Sequence, residues 1–294
     1  MNRSILALSY CLIAALLASA CSDEKKASAA QPAPRKEGSV PPRVAVVNAP
    51  VGPYREISVA SPGRIAGTVD FDGVFPADSV IQLTAQQAGC GQSVVDHRID
   101  RTGTRVAGVA VWLTDIREGR PRDVDRRFEL ANEDCVMAPR VQTVMTGGTL
   151  NVISNDVAMH RDRFIDVATG DVAAVAPFND NGQVIPFDRL LTKTSELEVT
   201  CDLHPWAKAY VLVFDHPYYA MTDKNGNFSL EGIPAGTYHL RAWHPVLGLI
   251  DQSVTVGAGA AATVELKLPG EGVAPPPKLP DSTDSSGPRN RKPS

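Results

Sequence analysis

Between Arg64 and Leu268 the apolar residues recur with the two-residue period of β-strands, and turn-forming dipeptides interrupt them at short intervals. Candidate strands run from Arg64 to Phe71, Val106 to Thr114, Thr149 to Ser154, Leu197 to Cys201, Ala209 to Phe214, Tyr238 to Trp243 and Ala262 to Leu268. Asp72-Gly73, Gly147-Gly148, Asn181-Gly182, Asn225-Gly226 and Pro234-Ala235-Gly236 fall between them as turns. No stretch carries a helical apolar stripe with caps at both ends. Short strands at this spacing predict an all-β chain folded as a sandwich. The sequence has no dinucleotide- or phosphate-binding glycine pattern and no Gly-x-Ser-x-Gly elbow. Asp, Glu and His are plentiful, yet spacing places no nucleophile with a base and an orienting group, so the chain is not expected to be an enzyme.

The flanks read differently. After Arg3, an apolar run from Ile5 to Leu17 is broken only by Ser9 and Tyr10. A membrane span needs about 20 apolar residues, so this shorter run reads as a signal peptide. It ends in Leu17-Ala18-Ser19-Ala20-Cys21, which resembles the lipobox of bacterial lipoproteins, with Ala18 where leucine is commoner. The resemblance implies cleavage before Cys21 and a diacylated Cys21 that anchors the chain to a membrane. Ser22 in place of aspartate implies sorting to the outer membrane, facing the periplasm or the cell surface. The bland alternative is a plain signal peptide cut after Ala20, leaving Cys21 a free thiol. Residues 21–53, rich in Ala, Pro, Ser, Lys and Glu, read as a flexible tether, and residues 269–294 as a disordered tail. The 294-residue chain, 43% hydrophobic, has material for one large or two small domains. Its formal net charge of −4 offers no basic field for nucleic acid.

Export places the chain where disulfides persist. Cys11 leaves with the signal peptide and Cys21 takes the lipid, so Cys90, Cys135 and Cys201 remain. Cys90 and Cys135 both sit in loop-like contexts and are able to pair with each other, leaving Cys201 as the odd thiol to be explained. Cys201 ends a strand and opens the tight loop Cys201-Asp202-Leu203-His204-Pro205-Trp206. A thiolate and an imidazole three residues apart can converge on one ion. His160, shortly after the strand Thr149 to Ser154, is the candidate for a second imidazole, and two histidines with one cysteine describe a blue-copper site. The same donors can also hold zinc. Asp156 and Asp162 are expected to be turn residues rather than partners of His160. His239 and His244 should point to opposite faces of a strand, and His216 reads as a linker residue.

At Cys201, His204, Pro205 and Trp206 the chain resembles the cupredoxin family, and the loop looks closest to that of the amicyanins; Asn155 to His160 resembles that family's approach to its first histidine ligand. The resemblance implies a cupredoxin-like Greek-key sandwich with copper held by His160, Cys201 and His204, one-electron transfer or copper carriage, and a periplasmic redox partner such as a cytochrome c. Met159 and Arg161 flank His160 where proline and asparagine are usual. Ala207 stands in the slot of the axial methionine and cannot coordinate; Met159 and Met221 are the candidate substitutes, neither at the family spacing. The segments Met221 to Leu230 and Ile233 to Tyr238 resemble a carboxypeptidase regulatory-like, or transthyretin-like, β-sandwich, and Arg64 to Val69 and Val106 to Val111 resemble its opening strands. The combination is similar to plastocyanin-like proteins of methylamine utilisation. The expected organisation is therefore a signal peptide at 1–20, a lipidated tether at 21–53, a cupredoxin-like region at 54–215 whose opening strands can be shared with the second sandwich, a carboxypeptidase regulatory-like module at 216–268 and a disordered tail at 269–294. Whether the two sandwiches are tandem or one is inserted in the other stays open. A metal-free β-sandwich scaffold that has lost its site, or a carbohydrate-binding module, is the competing reading.

Overall fold

The computed structural model describes residues 54–270 together with Pro276, Pro277 and Leu279. The signal peptide, Cys21 and the tether lie outside the described residues. Those described form β-strands and one short 3-10 turn, Ala85–Cys90, with no α-helix.

Two sandwiches share the chain. One is built from residues 127–214. Its four-stranded sheet runs Val136–Ala138, Arg127–Glu133, Thr149–Ser154, Val184–Phe187, and its five-stranded sheet runs Val141–Met145, Lys208–Phe214, Ser195–Cys201, His160–Asp166, Val172–Phe178. Alternating side chains meet between the sheets: Leu130, Leu150 and Val152 from one, Phe164, Leu197, Val199, Val211 and Val213 from the other. Burying each large apolar side chain stabilises the fold by about 1.5–3 kcal/mol.

The second sandwich is assembled from both sides of this insert. Ala110–Leu113 pairs with Tyr219–Met221 and Gly236–His244, and Gly63–Asp70 pairs with Asn227–Ile233 and, in parallel, with Ala261–Lys267. The opening strands, placed by sequence within 54–215, thus hydrogen-bond to strands beyond residue 216. Hydrogen bonding resolves the question the sequence left open in favour of insertion. The expected strand from Val106 to Thr114 is broken, because Gly108 adopts a φ of +66° between Arg105–Val106 and Ala110–Leu113.

The sandwiches meet through Ala110, Trp112 and Trp243 on one and Val141, Tyr210, Leu212 and Phe214 on the other. Strand Lys208–Phe214 is therefore covered on both faces, which explains its nearly continuous apolar run. Leu279, within the segment expected to be a disordered tail, is buried in the same cluster.

A further hairpin, Ser79–Gln82 with Ser93–Asp96, lies against the insert. Asp96 at its base is ion-paired to Arg140, and the loop at its tip carries Cys90, disulfide-bonded to Cys135.

Candidate metal centre

Antiparallel pairing puts the start of one strand beside the end of the next. In the register of the insert, Asp162 faces Cys201, so His160, two residues earlier on the same inward face, reaches the sheet end where Cys201 finishes its strand. The chain then turns through Asp202 to Trp206. That turn is closed by the Ala207 N–H donating to the His204 carbonyl (2.8 Å) and the Cys201 N–H donating to the Ala207 carbonyl (3.3 Å). The turn returns His204 to the same point.

All three side chains are buried, none more than 4% exposed. Cys201 Sγ lies 3.7 Å from His160 Nδ1 and 3.6 Å from His204 Nδ1, and the two Nδ1 atoms are 3.2 Å apart. Three donors thus converge from His160, Cys201 and His204, the residues singled out by sequence.

The far side of each ring is also held. Asp156 Oδ2 accepts from His160 Nε2 at 2.9 Å and from the Cys135 N–H at 3.0 Å. A carboxylate only accepts, so the His160 proton sits on Nε2 when the ring is neutral, and Nδ1 offers its lone pair toward the thiol. Asp156 is therefore no mere turn residue. Nε2 of His204 faces Cys90 Sγ at 3.3 Å. Trp206 donates from Nε1 to the Cys135 carbonyl at 2.9 Å, tying the ligand loop to the turn between strands Arg127–Glu133 and Val136–Ala138.

Asp162 also departs from expectation. It lies inside strand His160–Asp166, is wholly buried, and takes a 2.6 Å bond from Asn132 Nδ2. Its Oδ1 and the Oδ1 of Asn132 have no hydrogen-bond partner. Burial, reinforced by the neighbouring thiolate, pushes its carboxyl up to about 7. Burial alone would raise the Cys201 thiol, but hydrogen bonds from His160, His204 and the Arg161 N–H more than offset it and bring it down to about 5. Desolvation opposes charge on His160 as well, yet Asp156 and Cys201 lift it to about 9. In the metal-free chain the pair is a thiolate beside an imidazolium.

Ala207 is 1% exposed and packs in the core of the insert. Met221 packs at the junction of the sandwiches and Met159 is 57% exposed. His216 is buried, accepts the Tyr218 N–H, and is held down at about 3 by burial; it joins no donor group, as with His244. His239 points outward to Asp251.

Residues 200–269 match the family model of the carboxypeptidase regulatory-like domain. No curated protein sequence matches the chain. Similar solved structures include amicyanin variants, a purple cupredoxin and a copper-containing nitrite reductase, each over about a third of this chain. A copper-containing nitrite reductase from Thermus scotoductus SA-01 is 21% identical over 31% of this chain and 23% of its own length, with a TM-score of 0.28. A methionine-to-alanine variant of amicyanin in its Cu(I) form is 18% identical over 32% and 86%, with a TM-score of 0.26. A purple cupredoxin from Nitrosopumilus maritimus is 20% identical over 31% and 100%, with a TM-score of 0.26.

Proposed function

We propose that this chain is an envelope-anchored copper protein that binds one copper ion through His160, Cys201 and His204 and serves one-electron transfer or copper carriage rather than catalysis. The observation that carries the reading is the convergence of one thiol and two imidazole nitrogens, all within 4.8 Å of one another in a buried site. A thiolate with two imidazoles suits copper or zinc. Among the described residues no fourth His, Cys, Asp or Glu donor joins the three; zinc would complete such a set with water, whereas a trigonal set of two histidines and one cysteine with a weak, long axial contact is the blue-copper arrangement.

Copper held there supplies a one-electron couple. The chain supplies the rest. Asp156 fixes the His160 ring, the Ala207 backbone closes the ligand loop, and Trp206 pins that loop to Cys135. Donors fixed in this way move little between oxidation states, which keeps reorganisation small. Val157, Met159 and Leu203 are exposed beside His204, around a cavity of about 510 Å³. They offer an apolar face to a periplasmic redox protein such as a cytochrome c. The anchor rests on the Leu17 to Cys21 motif in the sequence.

Copper titration of the purified chain against a competing chelator tests the reading. One equivalent should bind tightly, and Cys201→Ser should lose it. Equal affinity in the two proteins would reject the site and favour a metal-free scaffold.

A further inference from the structure

Beside the three-donor centre, a second set of soft donors is held closed by a disulfide. We propose that the Cys90–Cys135 disulfide is the oxidised form of a second metal site, which on reduction holds one Cu(I) ion through Cys90, Cys135 and His204 Nε2. The inference shares His204 with the reading above but does not require Cys201.

The donors are already gathered. Both sulfurs and a ring nitrogen of His204 lie within 4.8 Å of one another, and the nitrogen nearest Cys90 Sγ, at 3.3 Å, is the one facing away from Cys201. A disulfide that served only to staple the hairpin to the insert has no need of an imidazole nitrogen against its sulfur. The bond is also reachable, because Cys90 and Cys135 line a cavity of about 570 Å³ between the hairpin loop and residues 134–136.

The backbone is arranged to let the sulfurs part and to keep them near. Cys90 lies between Gly89 and Gly91; Gly91 has a φ of +85° and open space around it, so the loop has room to shift. On the other side, Asp134 and Cys135 form the two-residue turn between Glu133 and Val136, with φ of 53° and 57°. Such turns favour Asn-Gly or Asp-Gly. A cysteine in this left-handed position costs about 1 kcal/mol or more, and here it delivers a sulfur to the centre.

The opening step is thiol–disulfide exchange with an external dithiol. The Cys90–Cys135 bond breaks, the dithiol gives up two electrons and two protons and leaves as its own disulfide, and two thiols remain. Binding of the cation then releases the thiol protons to solvent, and where His204 Nδ1 already holds copper the Nε2 proton leaves with them, so that the ring bridges the two ions as an imidazolate. Two thiolates and an imidazole form a soft donor set that selects Cu(I) over harder cations.

The purified full chain is titrated with Cu(I) against a chromophoric chelator, before and after reduction by a dithiol that is then removed without air. Cys201→Ser, which lacks the first centre's thiolate, should hold no tight Cu(I) before reduction and one equivalent after it. The unmodified chain should gain one equivalent on reduction. Cys90→Ser should abolish the gain in both backgrounds. No gain on reduction in either background, or the same gain in the Cys90→Ser chains, overturns the proposal. If the oxidised unmodified chain binds no copper, the function proposed above fails, while the Cys201→Ser comparison still decides this site. Should Cys201→Ser not fold, the unmodified and Cys90→Ser chains decide it alone.

Discussion

Replacing Asp156 by alanine removes one carboxylate oxygen that accepts two hydrogen bonds, from His160 Nε2 at 2.9 Å and from the Cys135 N–H at 3.0 Å. His160 and Cys135 are each 1% exposed, so both lost bonds are to buried donors. A hydrogen bond to a charged group contributes about 1.5–3 kcal/mol, and a buried donor left unsatisfied costs about 1–3 kcal/mol. The two bonds share one oxygen and are not additive. A loss of about 3 kcal/mol in unfolding free energy at neutral pH is expected. Burial favours the neutral acid, but the bonds from His160 and Cys135 more than offset it and hold the Asp156 carboxyl below its ordinary range. A depressed carboxyl stabilises the fold above its unfolded pKa and loses that contribution as pH falls through the folded value. The difference between the unmodified and alanine chains should therefore shrink in acid. With its ring no longer oriented, His160 should also cost the centre about 10–100-fold in copper affinity. Urea unfolding across pH, with the disulfide intact, and chelator competition measure both effects. A stability change under about 0.5 kcal/mol, the range of an ordinary surface substitution, together with unchanged copper affinity, would refute the assigned role.

Four further outcomes follow from the same geometry. In the metal-free chain the ultraviolet thiolate absorbance of Cys201 should appear with a midpoint near pH 5; a midpoint near the ordinary thiol value of 9 contradicts the hydrogen-bonded site. Because His160 holds its proton up to about 9, copper must displace it, and apparent affinity should rise about tenfold per pH unit between about pH 5 and 9 and then level off; a flat profile in chelator competition contradicts this. Asp162, pushed up to about 7, keeps a proton that the unfolded chain releases near pH 4, so stability falls as pH rises across that window. Asp162→Asn should stabilise the metal-free chain above pH 7 by up to about 4 kcal/mol, and urea unfolding that shows no gain there rejects the buried-acid account. Ala207→Met places a longer side chain in a filled core, at a cost of about 1–3 kcal/mol, and should shift the potential of the copper-loaded chain in voltammetry; an unchanged potential means that position does not face the metal.

The strands Thr149–Ser154 and Ser195–Cys201 were legible because one face is apolar and the other is not. Strand His160–Asp166 was not. Its inward face begins with His160 and Asp162 and its outward face carries Arg161 and Arg163, so polar groups on both sides erase the period that marks a strand. Ala110–Leu113 was legible within the expected strand from Val106 to Thr114, and only the break at Gly108 was not. Cys201 and His204 were legible from spacing alone, since a tight loop forces neighbours three apart to converge. His160 required a guess about a distant strand, and the pairing of Asp162 with Cys201 supplies what spacing lacks. The turn at Asp134 and Cys135 carries no Asn-Gly or Asp-Gly signal, so the hairpin that braces both histidines stayed invisible. Insertion of one sandwich within the other is a long-range pairing fact, and no local pattern encodes it.

The most direct test of the copper reading is an optical and electron paramagnetic resonance spectrum of the purified chain loaded with Cu(II), beside a Cys201→Ser control. An intense visible thiolate-to-copper band that disappears in the control is the expected result. A colourless protein without stoichiometric copper contradicts it and leaves a β-sandwich whose ligand is something other than copper.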